Sequence, residues 1–75
     1  MYDEDIKTLT EWMNDEERAT DTKRIDDDFF ISQYDVNDFC DLIREIDTDL
    51  IGIKCTVTVY GIWFDLNDLQ SARHY

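Results

Sequence analysis

The chain has 75 residues, 43% hydrophobic and 13% aromatic, and its nineteen Asp and Glu outweigh seven Lys and Arg for a net charge of −12. That length allows one domain, residues 1–75, with a modest core, and the apolar content argues against intrinsic disorder. So negative a field repels nucleic acid and anionic membranes and attracts basic proteins, and no apolar run approaches the ~20 residues of a membrane span.

Residues 2 to about 19 read as an amphipathic helix. Tyr2, Ile6, Leu9 and Met13 recur at spacings of four, three and four, with Trp12 beside the stripe. Asp3, Glu4 and Asp5 fall in the first turn, where carboxylates suit the helix dipole, and Arg18 falls near the other end. Residues 20–28 are polar without a period and read as a loop. Residues 29–34, Phe-Phe-Ile-Ser-Gln-Tyr, read as a short strand. Asp35 is the expected N-cap of a second helix, with Asp38 as capping-box partner and Val36, Phe39, Cys40, Ile43 and Ile46 as the buried stripe.

Ile51 to Val59 gives the clearest alternation. Ile53, Cys55, Val57 and Val59 are expected to face inward, and Lys54, Thr56, Thr58 and Tyr60 outward. Gly61 breaks or bends that strand before Ile62, Trp63 and Phe64 form another. Tyr60-Gly61 reads equally as a hairpin turn or as a bulge. Asp65, with Asp68 three residues on, is expected to cap a last helix over residues 66–75. The fold class is therefore α+β: a small, mainly antiparallel sheet of about three strands with two or three helices, in the order α-β-α-β-β-α.

Catalytic and metal chemistry find few residues to work with. Asp47, Asp49 and Gly52 match the first, third and sixth positions of an EF-hand loop, but Ile51 stands at the fifth and Thr58 at the twelfth, where calcium needs oxygen ligands and a bidentate Glu. Zinc would have Cys40, Cys55 and His74, without paired spacing. Both cysteines fit core positions better, and His74 near the chain end reads as solvated. No glycine-rich phosphate loop or nucleophile motif is present, so neither an enzyme nor a cofactor is expected. The acidic first residues are unlike a secretory signal, which gives a cytoplasmic expectation, in a host cell if a phage carries the gene.

Seventeen of the nineteen acids precede residue 50. Helix capping accounts for some of them, and exposed ion pairs add only ~0–1 kcal/mol each. The remainder opposes folding by self-repulsion and suggests a use as a surface. Acids four residues apart on a helix are separated by ~6 Å along its axis, a spacing comparable to that of phosphates along a nucleic-acid strand. In size, charge and lack of a catalytic motif the chain resembles the small acidic proteins that phages make against host nucleic-acid enzymes, including anti-CRISPR and anti-restriction DNA mimics. The resemblance implies a stoichiometric inhibitor that blocks the basic DNA- or RNA-binding surface of a nuclease or host-defence complex.

The candidate partner-binding carboxylates are Asp15, Glu16, Asp26, Asp27, Asp28, Asp38, Asp41 and Glu45, with Tyr60 and Trp63 as candidate aromatic anchors. The expected partner is a basic protein, with no direct nucleic-acid or membrane binding, and a chain this short could also gain stability as a homodimer. The rival readings are an antitoxin or immunity-type inhibitor of a basic toxin, and a non-inhibitory adaptor or assembly subunit.

Overall fold

The computed structural model describes residues 1–47 and 50–74, with the side chains of residues 50, 51, 73 and 74 outside the description. The expected EF-like stretch includes Thr48 and Asp49, which lie outside it, as does the side chain of His74. Helix α1 spans Asp3–Met13, and strands β1 (Lys23–Ile25) and β2 (Asp28–Ser32) follow before helix α2 (Val36–Ile46). Strands β3 (Leu50–Gly52), β4 (Thr56–Thr58) and β5 (Gly61–Asp65), the short helix α3 (Leu66–Gln70) and strand β6 (Arg73–His74) complete the chain. The antiparallel order β1-β2-β5-β4 makes the main sheet, and β3 with β6 makes a separate two-stranded ribbon. The α+β class matches the pattern of the residues, and the six expected elements keep their order, with β1 and β6 added and the strand expected at 51–59 divided.

Cross-strand partners in a sheet project to the same face. The register pairs Arg24 with Phe29, Phe29 with Phe64, Ile31 with Ile62 and Ile62 with Val57, so these residues share one face. All three helices pack on that face. Ile6, Leu9 and Met13 of α1, Phe39 of α2 and Leu69 of α3 join Phe29, Ile31 and Phe64 in one buried cluster. Burying side chains of this size stabilises by roughly 1.5–3 kcal/mol each. The aromatic rings form a column through the layers: Phe29 stacks on Phe64 at 5.3 Å, Phe64 on Phe39 at 5.5 Å, and Phe39 meets Trp12 at 6.1 Å.

Several boundaries differ from the sequence expectation, each for a local reason. Helix α1 ends at Met13 rather than near Ala19, because residues 14–18 offer no apolar side chain to continue the stripe. The Asp15 carboxylate instead accepts the Glu17 N–H at 2.9 Å and closes a turn. The supposed loop at 20–28 contains β1, joined to β2 by a two-residue turn at Asp26 and Asp27, where Asp26 takes φ 53°. Asp tolerates that left-handed conformation better than most residues. The long strand expected at 51–59 is two strands in two different sheets. Helix α3 stops at Gln70, and the chain then pairs with β3.

Of the expected inward set, Ile53 is half-buried, while Cys55, Val57 and Val59 are exposed. Strand β4 is an edge, and its side chains on the helix-covered face extend past the helices. Cys40 is exposed too, so neither cysteine is a core residue. The Tyr60-Gly61 question resolves as a hairpin. Thr58 pairs with Gly61, leaving Val59 and Tyr60 as the loop.

Gly61 adopts φ +150°, and a Cβ there would lie 2.1 Å from the Ile31 carbonyl oxygen. That backbone region is nearly closed to other residues, at a cost of order 1–3 kcal/mol before any clash. We expect Gly61→Ala to lose at least about 2 kcal/mol in urea unfolding. Gly52→Ala, where an added Cβ meets nothing within 4 Å, should change little in the same measurement.

Candidate functional site

The helix-covered face and the ends of the sheet carry the acids in two groups. The first group begins at the turn after α1. Arg18 lies over the Trp12 ring at 4.0 Å, with its side chain only 13% exposed, and reaches the Asp38 carboxylate at 3.8 Å. Asp15 and Glu16, both exposed, belong to the same turn, in which the Arg18 N–H donates to the Asp15 carbonyl at 3.1 Å. Asp38, Asp41 and Glu45 then run along the outer surface of α2, all exposed. At ~1.5 Å of rise per residue their Cα atoms step ~4.5 and then ~6 Å along the axis. Arg44 reaches Asp41 at 3.9 Å, but with side-chain exposures of 81% and 69% this pair is screened and leaves the carboxylate accessible.

A buried polar node holds the turn against α2. The N–H of Ala19 donates to the Asp35 carboxylate at 2.9 Å, and the Thr22 hydroxyl donates to the same oxygen. The Thr22 hydroxyl in turn accepts the Ser32 N–H at 2.9 Å. Thr22, Ser32 and Asp35 are 4%, 1% and 5% exposed. Asp35 stands at the N-cap position as expected, yet its side chain caps nothing in α2. It is turned back onto the segment between α1 and β1, whose buried N–H and hydroxyl would otherwise lack an acceptor.

The second group lies at the Asp28 end of β2, opposite the end that leads into α2. Asp26 and Asp27 form the hairpin turn, and Asp28 opens β2 directly opposite Asp65 of β5. Like charges in that position oppose each other. Asp28, Asp65 and Asp68 surround a surface depression with Thr56, Trp63 and Phe64. Asp65 and Asp68 also form the expected capping box of α3, through the Asp68 N–H to Asp65 at 2.8 Å and the Asp65 N–H to Asp68 at 2.9 Å. Their membership of this acidic patch depends on strand register, which has no local signal in the sequence. The candidate carboxylates thus form two patches rather than one.

The sheet face away from the helices carries Phe30 and Trp63, paired at 4.7 Å between ring centroids. Phe30 is buried, whereas Trp63 remains 42% exposed. Tyr60, 70% exposed, stands on the β4–β5 loop. Both candidate anchors are therefore accessible. On the helix side an apolar groove of about 400 Å³ runs between α2 and the chain entering β4, and both cysteines line it. Among the described residues no three His, Cys, Asp or Glu side chains gather as metal ligands, and no helix is long and apolar enough to cross a membrane.

No protein-family model matches the chain, and no curated protein or solved structure matches it.

The Asp35 node positions the first acidic group. Replacing Asp35 with Ala orphans the Ala19 N–H and the Thr22 hydroxyl, a loss of about 2 kcal/mol in urea unfolding. Hydrogen exchange at the Ala19 amide should accelerate by more than the global destabilisation alone explains.

Proposed function

We propose that the protein is an acidic binding protein that docks on the nucleic-acid-binding surface of a basic enzyme, such as a nuclease of a host-defence complex, and inhibits it stoichiometrically. The line of Asp38, Asp41 and Glu45 on α2, with Asp15 and Glu16 in the turn whose Arg18 reaches Asp38, carries this reading. It sets out exposed negative charge at intervals comparable to those of a phosphate backbone, on a rigid helix packed through Phe39. A groove lined with Lys and Arg for nucleic acid would receive it through charge-assisted hydrogen bonds. The hairpin patch at Asp26, Asp27 and Asp28 offers a second point of contact, so a partner must present basic residues at two separated places. That requirement favours an extended basic channel over a small basic spot.

The half-exposed Trp63 supports a second reading, an adaptor that binds through the open sheet face. The two differ in salt dependence. Electrostatic docking weakens steeply as screening increases, and apolar docking does not.

The test is recovery of partners from the native host at low and high salt, followed by titration of any recovered nucleic-acid enzyme with the protein. The expected result is loss of nucleic-acid binding at one equivalent, relieved by excess nucleic acid. Reversing Asp41 and Glu45 to Lys together should weaken binding by at least about 2 kcal/mol. Asp65→Asn, at the α3 cap, should have a much smaller effect on affinity. Equal losses would remove α2 from the interface.

A further inference from the structure

We infer that β4 is a self-association edge: two copies pair their β4 strands antiparallel about a twofold axis at Val57, joining two four-stranded sheets into one. This inference does not depend on the proposed inhibitor function.

The hydrogen-bond phase of the sheet leads to it. The Gln33 N–H donates to the Tyr60 carbonyl at 2.9 Å. In an antiparallel ladder this bond flanks the Ser32–Gly61 pair and makes that pair a non-hydrogen-bonded one toward β2. Gly61 therefore turns its own N–H and carbonyl toward Thr58 on β4. Hydrogen-bonded and non-hydrogen-bonded pairs alternate along a ladder. The Val57–Ile62 pair is then non-hydrogen-bonded, and the N–H and carbonyl of Val57 point away from β5. They point toward the free side of the sheet, because β4 is its last strand. A twofold axis beside Val57 lets each Val57 donate to and accept from Val57 of the second copy.

The side chains fit the same axis. Thr56-Val57-Thr58 is symmetric about its centre, so each Thr56 meets Thr58 of the second copy. Facing Thr residues form a favourable cross-strand pair. Val59 and Tyr60 form the hairpin loop, so the paired ladder is the three residues of β4 from each copy. Val57 is 76% exposed in the single chain, and pairing would cover part of it.

Charge selects a second copy as the occupant. Two bodies of net charge −12 repel wherever their acids meet. Residues 50–64 contain no Asp or Glu and one base, Lys54. The tract itself carries no carboxylate; the acids nearest to it are Asp28, Asp65 and Asp68 at its Thr56 end, where Lys54 stands beside Asp68. A basic partner would find its complement elsewhere, at α2 and the β1–β2 turn.

Analytical ultracentrifugation across concentration, at about 0.1 and 0.5 M salt, tests the inference, because screening shortens to a few ångströms over that range. We expect a reversible species of twice 9.0 kDa. Its dissociation constant should fall as salt rises, the opposite sign to docking on a basic enzyme. Val57→Lys sets two like charges at the axis and should raise that constant at least about tenfold. Val57→Thr, still β-branched, should retain the dimer. Exchange at the Val57 amide should slow with increasing protein concentration, a readout that needs no variant. A monomer at both salts, a dimer indifferent to Val57→Lys, or Val57 exchange independent of concentration would each overturn the proposal. A strand from another protein at this edge would give the last of these outcomes.

Discussion

The structure depends on one stack of rings. Phe29 and Phe64 meet across β2 and β5, Phe39 of α2 lies against Phe64, and Trp12 of α1 lies against Phe39. Arg18 closes the column over Trp12. Each contact spans two elements, so the column fixes both long helices on the same face of the sheet. A chain of 75 residues cannot afford two cores. Concentrating its aromatics in one column leaves the opposite sheet face, among the described residues, with Phe30 and the half-exposed Trp63 as its rings.

Arg18 and Asp35 link that core to the acidic surface. Arg18 lays its guanidinium on an apolar ring and directs one nitrogen toward Asp38. Asp35 is the inward acid of the region, held by Ala19 and Thr22. Together they order a polar turn that has no apolar stripe of its own. The exposed Asp15 and Glu16 belong to that turn. The self-repulsion of these acids works against the folded state, and the apolar column and the Asp35 node are what it works against.

Charge and sheet edge divide the surface between them. The acids occupy both helical surfaces and the two ends of β2, while the β4 edge and the β4–β5 loop carry none. Short length is itself a protection for an edge strand, and β4 has only three residues. Its exposed Val57 and Val59 lack the charged side chains that commonly guard such an edge. The proposed docking of the acidic surface on basic partners and the proposed self-pairing at β4 are compatible, because they use different elements.

By itself the sequence determined the α+β class, the relative order of the six elements it showed, the stripe Ile6, Leu9 and Met13, the strand around Phe29 and Ile31, and the Asp65–Asp68 capping box. These follow from spacings within a few residues, where helix period and capping geometry act directly. Only the tertiary structure decided that the tract 51–59 splits between two sheets, that Cys40, Cys55 and Val57 are exposed, that Asp35 turns back to Ala19, and that Asp65 joins the hairpin acids. Alternation in a sequence tells which residues share a face of a strand. Whether anything covers that face depends on the strand's place in the sheet and the reach of the helices, which are set by contacts between residues far apart in the chain.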